Sequence, residues 1–133
     1  MLDRQAQIEF ILDHYEHPRH KGRLENADVT LTGGNPGCGD IVTIYLKAAG
    51  DRADAITFEG SGCTISQAGA SIIAEMAQGM PLAEIEQLDH EVMVETMGRE
   101  VVNTRVRCAT LGLGTLQAAI KELRAQRIRA QQT

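Results

Sequence analysis

Aromatic residues are almost missing from this chain: two Phe, two Tyr and no Trp, 3% of the sequence. A core must therefore be assembled from Ile, Leu, Val, Ala and Met, which hold the apolar share at 43%. No apolar run approaches the roughly 18 residues a membrane-spanning helix requires, so no membrane span is expected. The opening Met1-Leu2-Asp3-Arg4-Gln5 lacks the basic-then-apolar layout of a secretory signal. Cysteine is also scarce, and three thiols cannot all pair within one chain. Without an export signal, reduced thiols in a cytoplasmic setting are expected. The absence of Cys-x-x-Cys argues against a thioredoxin-type redox pair. Positive charge is in deficit as well, and a net charge of −5 argues against nucleic acid as the main partner.

At 133 residues the chain reads as a single domain, 1–133, able to bury roughly two-thirds of its unfolded surface. The ends, 1–4 and 128–133, are expected to fray. Charge is uneven. Residues 99–133 carry seven of the 13 Lys/Arg and two of the 18 Asp/Glu, a net +5, which leaves −10 for residues 1–98. The plainer meaning is a solvated basic helix end that complements the helix dipole; the other is a docking face for an acidic partner.

Ile8, Ile11, Leu12 and Tyr15 recur at helical spacing and predict an amphipathic helix over 5–16, ending before Pro18. His14, His17 and His20 follow that stripe and its exit, and read as solvated polar residues rather than a metal cluster. Three runs then have strand character: 29–32, 41–46 and 55–59. Gly33-Gly34-Asn35-Pro36, Gly50-Asp51 and Gly60-Ser61-Gly62 supply the turn signals between and after them. Alternation within each run suggests an antiparallel meander. From Thr64 the period changes to helical, through Ile65, Ala68, Ile72, Ile73 and Met76, and stops at Gly79. The small residues Ala68, Gly69, Ala70 and Ser71 allow close packing on another surface. Pro81 opens a short helix through Leu88, and a weaker helical piece runs to Met97, with His90 on the surface. Val101-Val102-Asn103-Thr104 reads as a loop or extended connection. Ala109, Leu113, Leu116, Ile120 and Leu123 mark the last helix, expected to fray after Arg127. The fold class is α+β: a three-stranded antiparallel sheet with four to five helices on one face.

Cys38 and Asp40 flank Gly39 in the turn between the first two strands, and Cys63 follows the third. In a meander those points fall at the same end of the sheet. Cys63 also stands at a helix mouth, where free N–H groups and the dipole favour a thiolate. Cys108 starts the last helix. Three soft sulfurs and one hard oxygen make four potential ligands, the number needed by tetrahedral zinc or one edge of a small iron–sulfur cluster. A purely structural zinc usually has a tight Cys-x₂₋₄-Cys pair, and none exists.

Four motifs carry a resemblance: Asp13-His14-Tyr15-Glu16-His17-Pro18-Arg19, Asn35-Pro36-Gly37-Cys38-Gly39-Asp40, residues 58–66 around Gly62-Cys63-Thr64, and Arg105-Val106-Arg107-Cys108-Ala109-Thr110-Leu111. In this order they resemble the iron–sulfur cluster assembly scaffolds of the IscU/SufU/NifU N-terminal type, across nearly the whole chain. The resemblance implies that Cys38, Cys63 and Cys108 accept sulfur and hold a nascent [2Fe–2S] cluster. Asp40 would be the oxygen ligand that keeps the cluster labile, since a carboxylate suits soft iron–sulfide less well than a thiolate. It also implies a non-enzymatic scaffold whose partners are a cysteine desulfurase, an iron donor and apo iron–sulfur acceptors, with zinc as an alternative occupant.

Two departures qualify the resemblance. Many IscU-type chains have histidine just before the last cysteine, where this one has Arg107, which cannot ligate a metal because its pKa exceeds about 12. Arg105 and Arg107 can instead hold a thiolate or an incoming persulfide by charge, as in the SufU type. That likeness implies the alternative of a zinc-dependent sulfurtransferase that relays persulfide. The 45-residue step from Cys63 to Cys108 is of the IscU type. The segment 101–105 lacks the Leu-Pro-Pro-Val-Lys pattern gripped by a dedicated Hsp70-type chaperone, so dependence on that chaperone is not implied.

Overall fold

The computed structural model describes residues 3–35, 37 and 39–132. Helix α1 (Arg4–Glu16) leads into strands β1 (Val29–Asn35), β2 (Asp40–Ala49) and β3 (Arg52–Ser61). Helices α2 (Thr64–Ala77), α3 (Leu82–Glu86), α4 (Glu91–Met97), α5 (Arg99–Val102) and α6 (Val106–Gln131) follow. The strands form one antiparallel sheet in the order β1-β2-β3. The architecture is the α+β meander with packed helices that the patterning predicts. No helix among the described residues is long and apolar enough to cross a membrane.

Alternation decides which face of the sheet is covered. Val42, Ile44 and Leu46 on β2, with Ile56 and Phe58 on β3, are fully buried, whereas Ile41 is 47% exposed. Ile73, Leu113, Leu116 and Ile120 complete this core from α2 and α6. Each such side chain contributes about 1.5–3 kcal/mol of transfer free energy.

The two long helices lie unusually close. A Cβ on Gly69 would stand 3.0 Å from the Ala109 carbonyl oxygen, and one on Gly112 would stand 2.9 Å from Ala70 Cα. This contact, where small residues let backbone touch backbone, draws the N-termini of α2 and α6 together beside the start of β2.

Several local expectations change. Gly33 and Gly34 do not begin the turn but continue β1 to Asn35. A Cβ at Gly33 would sit 2.1 Å from Thr115 Oγ1, so glycine here admits α6 onto the strand. Val101 and Val102 belong to α5, held by their N–H groups on the Gly98 carbonyl, rather than to a loop. On α1 the buried stripe is rotated: Ile11 and His14 are inside, while Leu12 and Tyr15 are 41% and 44% exposed. His14 is therefore not solvated. Its Nδ1 pairs with Ser71 Oγ at 2.8 Å, and the same hydroxyl accepts the Arg19 N–H at 2.8 Å. Burial holds the imidazole pKa below its ordinary value, so the ring is neutral at physiological pH. Regular helical geometry in α6 continues past Arg127 to Gln131.

Candidate metal centre

The site forms where β2 begins and where α2 and α6 start. Asp40 opens β2, paired in register with Asn35 across the hairpin, and is 1% exposed. A buried carboxylate must have donors, and the neighbouring elements supply them. The Cys63 backbone N–H donates to Asp40 Oδ1 at 2.7 Å. Cys108 Sγ–H donates to Oδ2 at 3.0 Å, with Cys63 Sγ 3.8 Å from the same oxygen.

Cys63 is the N-cap of α2, in extended geometry at φ −70°, ψ 162°, with its sulfur accepting the Ser66 N–H at 3.5 Å. The sulfur thus occupies the position a serine or aspartate oxygen usually takes at a helix start. Ser66 Oγ–H returns a bond to the Cys63 carbonyl at 3.0 Å. Gly62 makes the approach sterically feasible. It adopts φ 136°, and a Cβ there would lie 2.2 Å from Asp40 Oδ1, so a side chain would evict the carboxylate.

Ligand atoms of Asp40, Cys63 and Cys108 all lie within 4.8 Å of one another, the one such group of three or more His, Cys, Asp or Glu residues among the described residues. A tetrahedral ion with sulfur at 2.3 Å has ligand–ligand edges of about 3.8 Å, so this set fits a shared zinc or iron after small side-chain shifts. Cys38, the fourth predicted ligand, lies outside the described residues.

The electrostatics follow from burial. Burial pushes the Asp40 carboxyl upward, but hydrogen bonds from Cys108, the Cys63 backbone, Ser66 and the Cys63 thiol outweigh it, and its pKa settles below the ordinary value. Burial, reinforced by the hydrogen bonds with Asp40 and Cys63, pushes the Cys108 thiol up to about 12. The charged carboxylate and the protonated thiol are two halves of one arrangement. A metal ion must displace the Cys108 proton to bind, so affinity rises with pH.

Arg105 and Arg107 lie at the rim, lining with Gly37, Thr104, Val106 and Cys108 an open cavity of about 720 Å³. Both are exposed. Ile41 and Val106, 47% and 41% exposed, add apolar surface near the same rim. Among the histidines of the first segment, His20 Nδ1 pairs with the Ile56 carbonyl at 3.0 Å and His14 with Ser71. Sequence reasoning missed Ser66 and Gln67 as supports of the centre. The readable signal for Ser66 was its place three residues after a capping Cys63; Gln67 carried none.

A sequence model described as "NifU-like N terminal domain" matches residues 6–130. An iron–sulfur cluster assembly scaffold protein IscU of Archaeoglobus fulgidus is 34% identical over 110 residues, covering 83% of this chain and 71% of that one. A zinc-dependent sulfurtransferase SufU of Bacillus subtilis is 29% identical over 127 residues, covering 83% and 86% respectively. Among solved structures, a SUF-system scaffold protein from Fervidobacterium islandicum superposes with a TM-score of 0.72 at 31% identity, covering 84% of this chain and 94% of that one.

Proposed function

The chain belongs to the family of NifU-like N-terminal domains, and from that premise we propose that it is a scaffold on which iron–sulfur clusters are built and from which they are passed on. The observation that carries the reading is the convergence of Asp40, Cys63 and Cys108 within 4.8 Å, at the meeting point of three elements far apart in sequence. In this reading a cysteine desulfurase presents a persulfide at the rim. A scaffold thiolate attacks its outer sulfur, a new S–S bond forms, the old one breaks, and the desulfurase thiolate leaves. Two sulfurs delivered in this way are each reduced by two electrons to sulfide by an external thiol or ferredoxin-type reductant, and with two iron ions from a donor they form a [2Fe–2S] cluster that Cys38, Cys63, Cys108 and Asp40 would hold and apo-proteins would then remove. The chain acts as carrier rather than catalyst, in the cytoplasm.

Each residue type suits its part. Thiolates bind iron–sulfide strongly, and the single hard oxygen of Asp40 weakens one corner. Arg105 and Arg107 place positive charge where an anionic persulfide must arrive. The test supplies desulfurase, cysteine, ferrous iron and a thiol reductant without oxygen while the visible spectrum is followed. Cluster absorbance is expected, and it should fall on Cys→Ser change at any of the three positions. No absorbance while the desulfurase turns over overturns the reading. Asp40→Ala is expected to give a longer-lived cluster that transfers more slowly; an unchanged lifetime and transfer rate would remove Asp40 from its role.

The Arg105–Leu111 segment, together with the sulfurtransferase relative, supports a second reading. Here zinc is resident on the same four residues, where it would lower thiol pKa and organise the loops, and one thiolate relays persulfide. Metal analysis of freshly purified protein separates the two: near-stoichiometric zinc that must stay in place for desulfurase activation favours the relay.

A further inference from the structure

The sheet has two edges, and the chain treats them differently. The outer edge of β3 is occupied along its length. Ala53 N–H donates to the Met80 carbonyl at 3.0 Å, and the Ala53 carbonyl accepts from Gly79 N–H at 2.7 Å. Ile56 N–H donates to Gln78 Oε1 and the Ile56 carbonyl accepts from His20 Nδ1, each at 3.0 Å. Phe58 is held between the His20 carbonyl and Gly22 N–H. The opposite edge belongs to β1, which pairs only with β2. Among the described residues, no hydrogen bond from any other element reaches the backbone of residues 29–34. Proteins commonly blunt a free edge with lysine, proline, a bulge or a covering segment, because it can pair with another chain. The strand Val29-Thr30-Leu31-Thr32-Gly33-Gly34-Asn35 has no lysine and no proline, and its register with β2 is unbroken. Gly34 is exposed, and without a side chain the exposed surface is the backbone itself.

A groove of about 480 Å³ runs beside this edge, with residues 31–34 as one wall. Successive strand residues point to opposite faces, so a cavity that touches four in a row meets the strand at its edge. The other wall is α6, where Arg107, Leu111, Gly114 and Ala118 recur at helical spacing. From Arg107 to Ala118 the helix rises about 16 Å, room for about five residues of extended chain. Arg107 is exposed, and no acidic side chain among the described lining residues pairs with it. Thr115, two turns further along α6, meets Gly33. Arg107 therefore lies towards the Asn35 end of the strand, where it also lines the rim of the centre.

We propose that this groove receives an extended segment of a partner protein, which adds to β1 as a fourth strand and sets an acidic side chain against Arg107. The free edge supplies main-chain hydrogen bonds, and the groove supplies the selection among side chains. Alternate side chains of the segment turn towards Leu111, Gly114 and Ala118, which suits small β-branched residues. Antiparallel pairing puts the acid at the segment's N-terminal end, because Arg107 stands at the C-terminal end of β1. Charge decides against a second copy as the occupant. The strand Val29–Asn35 carries no acid for Arg107, and two chains of net charge −5 repel each other. An acidic segment instead meets the basic part of the chain, residues 99–133.

The test titrates the full chain, metal-free and reduced, with three capped peptides at low ionic strength. The first is acetyl-Asp-Val-Thr-Val-Thr-amide. The second has Lys in place of Asp, and the third is the first with every backbone nitrogen methylated. Amide NMR signals of residues 31–34 and of Gly114 report binding. Saturable shifts centred on these signals are expected with the first peptide at about millimolar concentration. The lysine peptide should bind roughly three- to tenfold more weakly, since an exposed ion pair is replaced by a repulsion, and salt at about 1 M should close that gap. The methylated peptide, which has no main-chain donors for the edge, should not saturate. In the chain, Arg107→Gln should remove the preference for aspartate over lysine. Ala118→Phe, at an exposed position, should fill the groove and block binding. No saturable shift with the first peptide, equal binding of any two of the peptides, or unchanged binding to Ala118→Phe overturns the proposal. Shifts of the same signals on concentrating the chain alone also overturn it, because a second copy would then be the occupant.

Discussion

Replacing Asp40 by asparagine should make Cys108 reactive. The shape of the side chain is kept and its oxygen can still accept the Cys63 N–H, but the negative charge beside the Cys108 sulfur disappears. In the native chain that thiol is pushed up to about 12, first by burial and then by its hydrogen bonds with Asp40 and Cys63. Burial is unchanged in Asp40→Asn, so only part of the rise is lost. A neighbouring charge moves a pKa by roughly 1–3 units, and because burial leads here we take the lower half, about 1–2 units. At about pH 8 the thiolate fraction then rises roughly 10- to 100-fold, and alkylation by iodoacetamide should rise in proportion. Chelator-treated protein is alkylated briefly, digested, and the Cys108 peptide quantified by mass spectrometry. The rate must stay constant in low denaturant, which shows that the thiol reacts in the folded chain. A Cys108 rate in Asp40→Asn equal to or below that of the native chain would refute the electrostatic account.

The same thiol predicts an alkaline limit to stability. A folded pKa of about 12 against an ordinary 9.0 favours the protonated folded form. Its contribution is complete below about pH 9 and is lost as pH rises towards 12. Urea denaturation of the metal-free protein across that range should show falling stability. Cys108→Ala should flatten the fall, with the remainder left to Tyr45, whose pKa is raised by its hydrogen bond to Glu59. Asp40 acts at the other end: its lowered pKa contributes stability above about 3.8 that is lost as pH falls below it. Gly62→Ala should cost about 1–3 kcal/mol from backbone strain alone and lower zinc affinity at least roughly tenfold by displacing Asp40, as read by competition with a chromophoric chelator. An affinity that survives would mean the loop yields without moving the carboxylate. Gly112→Ala, which drives a methyl against Ala70, should destabilise by about 1–3 kcal/mol and weaken zinc binding as the starts of α2 and α6 separate. Calorimetry with and without zinc distinguishes the two effects.

The strands, the helix beginning at Thr64 and the gathering of Asp40, Cys63 and Cys108 were legible because each rests on local signals: alternation, a glycine turn, a period change next to a cysteine. What the sequence hid depends on partners from elsewhere in the chain. The stripe of Ile8, Ile11, Leu12 and Tyr15 pointed to one face of α1, yet the helix is turned so that His14 lies inside, because Ser71 on α2 provides the hydrogen bond that makes a buried imidazole tolerable. No pattern within residues 5–16 contains that serine. Gly33 misled for the same reason, since the residue that needs its bareness, Thr115, is some 80 positions away.

Asp40 shows where that distinction matters for function. From sequence it was a ligand in a turn; in the fold it is a buried acceptor whose Oδ1 holds the first N–H of the α2 cap and whose Oδ2 holds the Cys108 proton. The carboxylate would be needed to keep the three elements together even if no ion ever bound. An incoming ion competes with an existing proton for Oδ2, and a departing ion hands the oxygen back to a donor 3.0 Å away instead of leaving a buried charge unpaired. On the scaffold reading, lability would then have a source beyond the mismatch of hard oxygen with soft iron: the protein already holds the bond that would replace the one given up. It follows that Cys108→Ser, whose hydroxyl can still donate to Asp40, should preserve the stability of the metal-free fold better than Cys108→Ala, although both remove the thiolate. Equal losses in urea denaturation would show that the thiol–carboxylate bond does not stabilise the centre, and the argument for easy release would go with it.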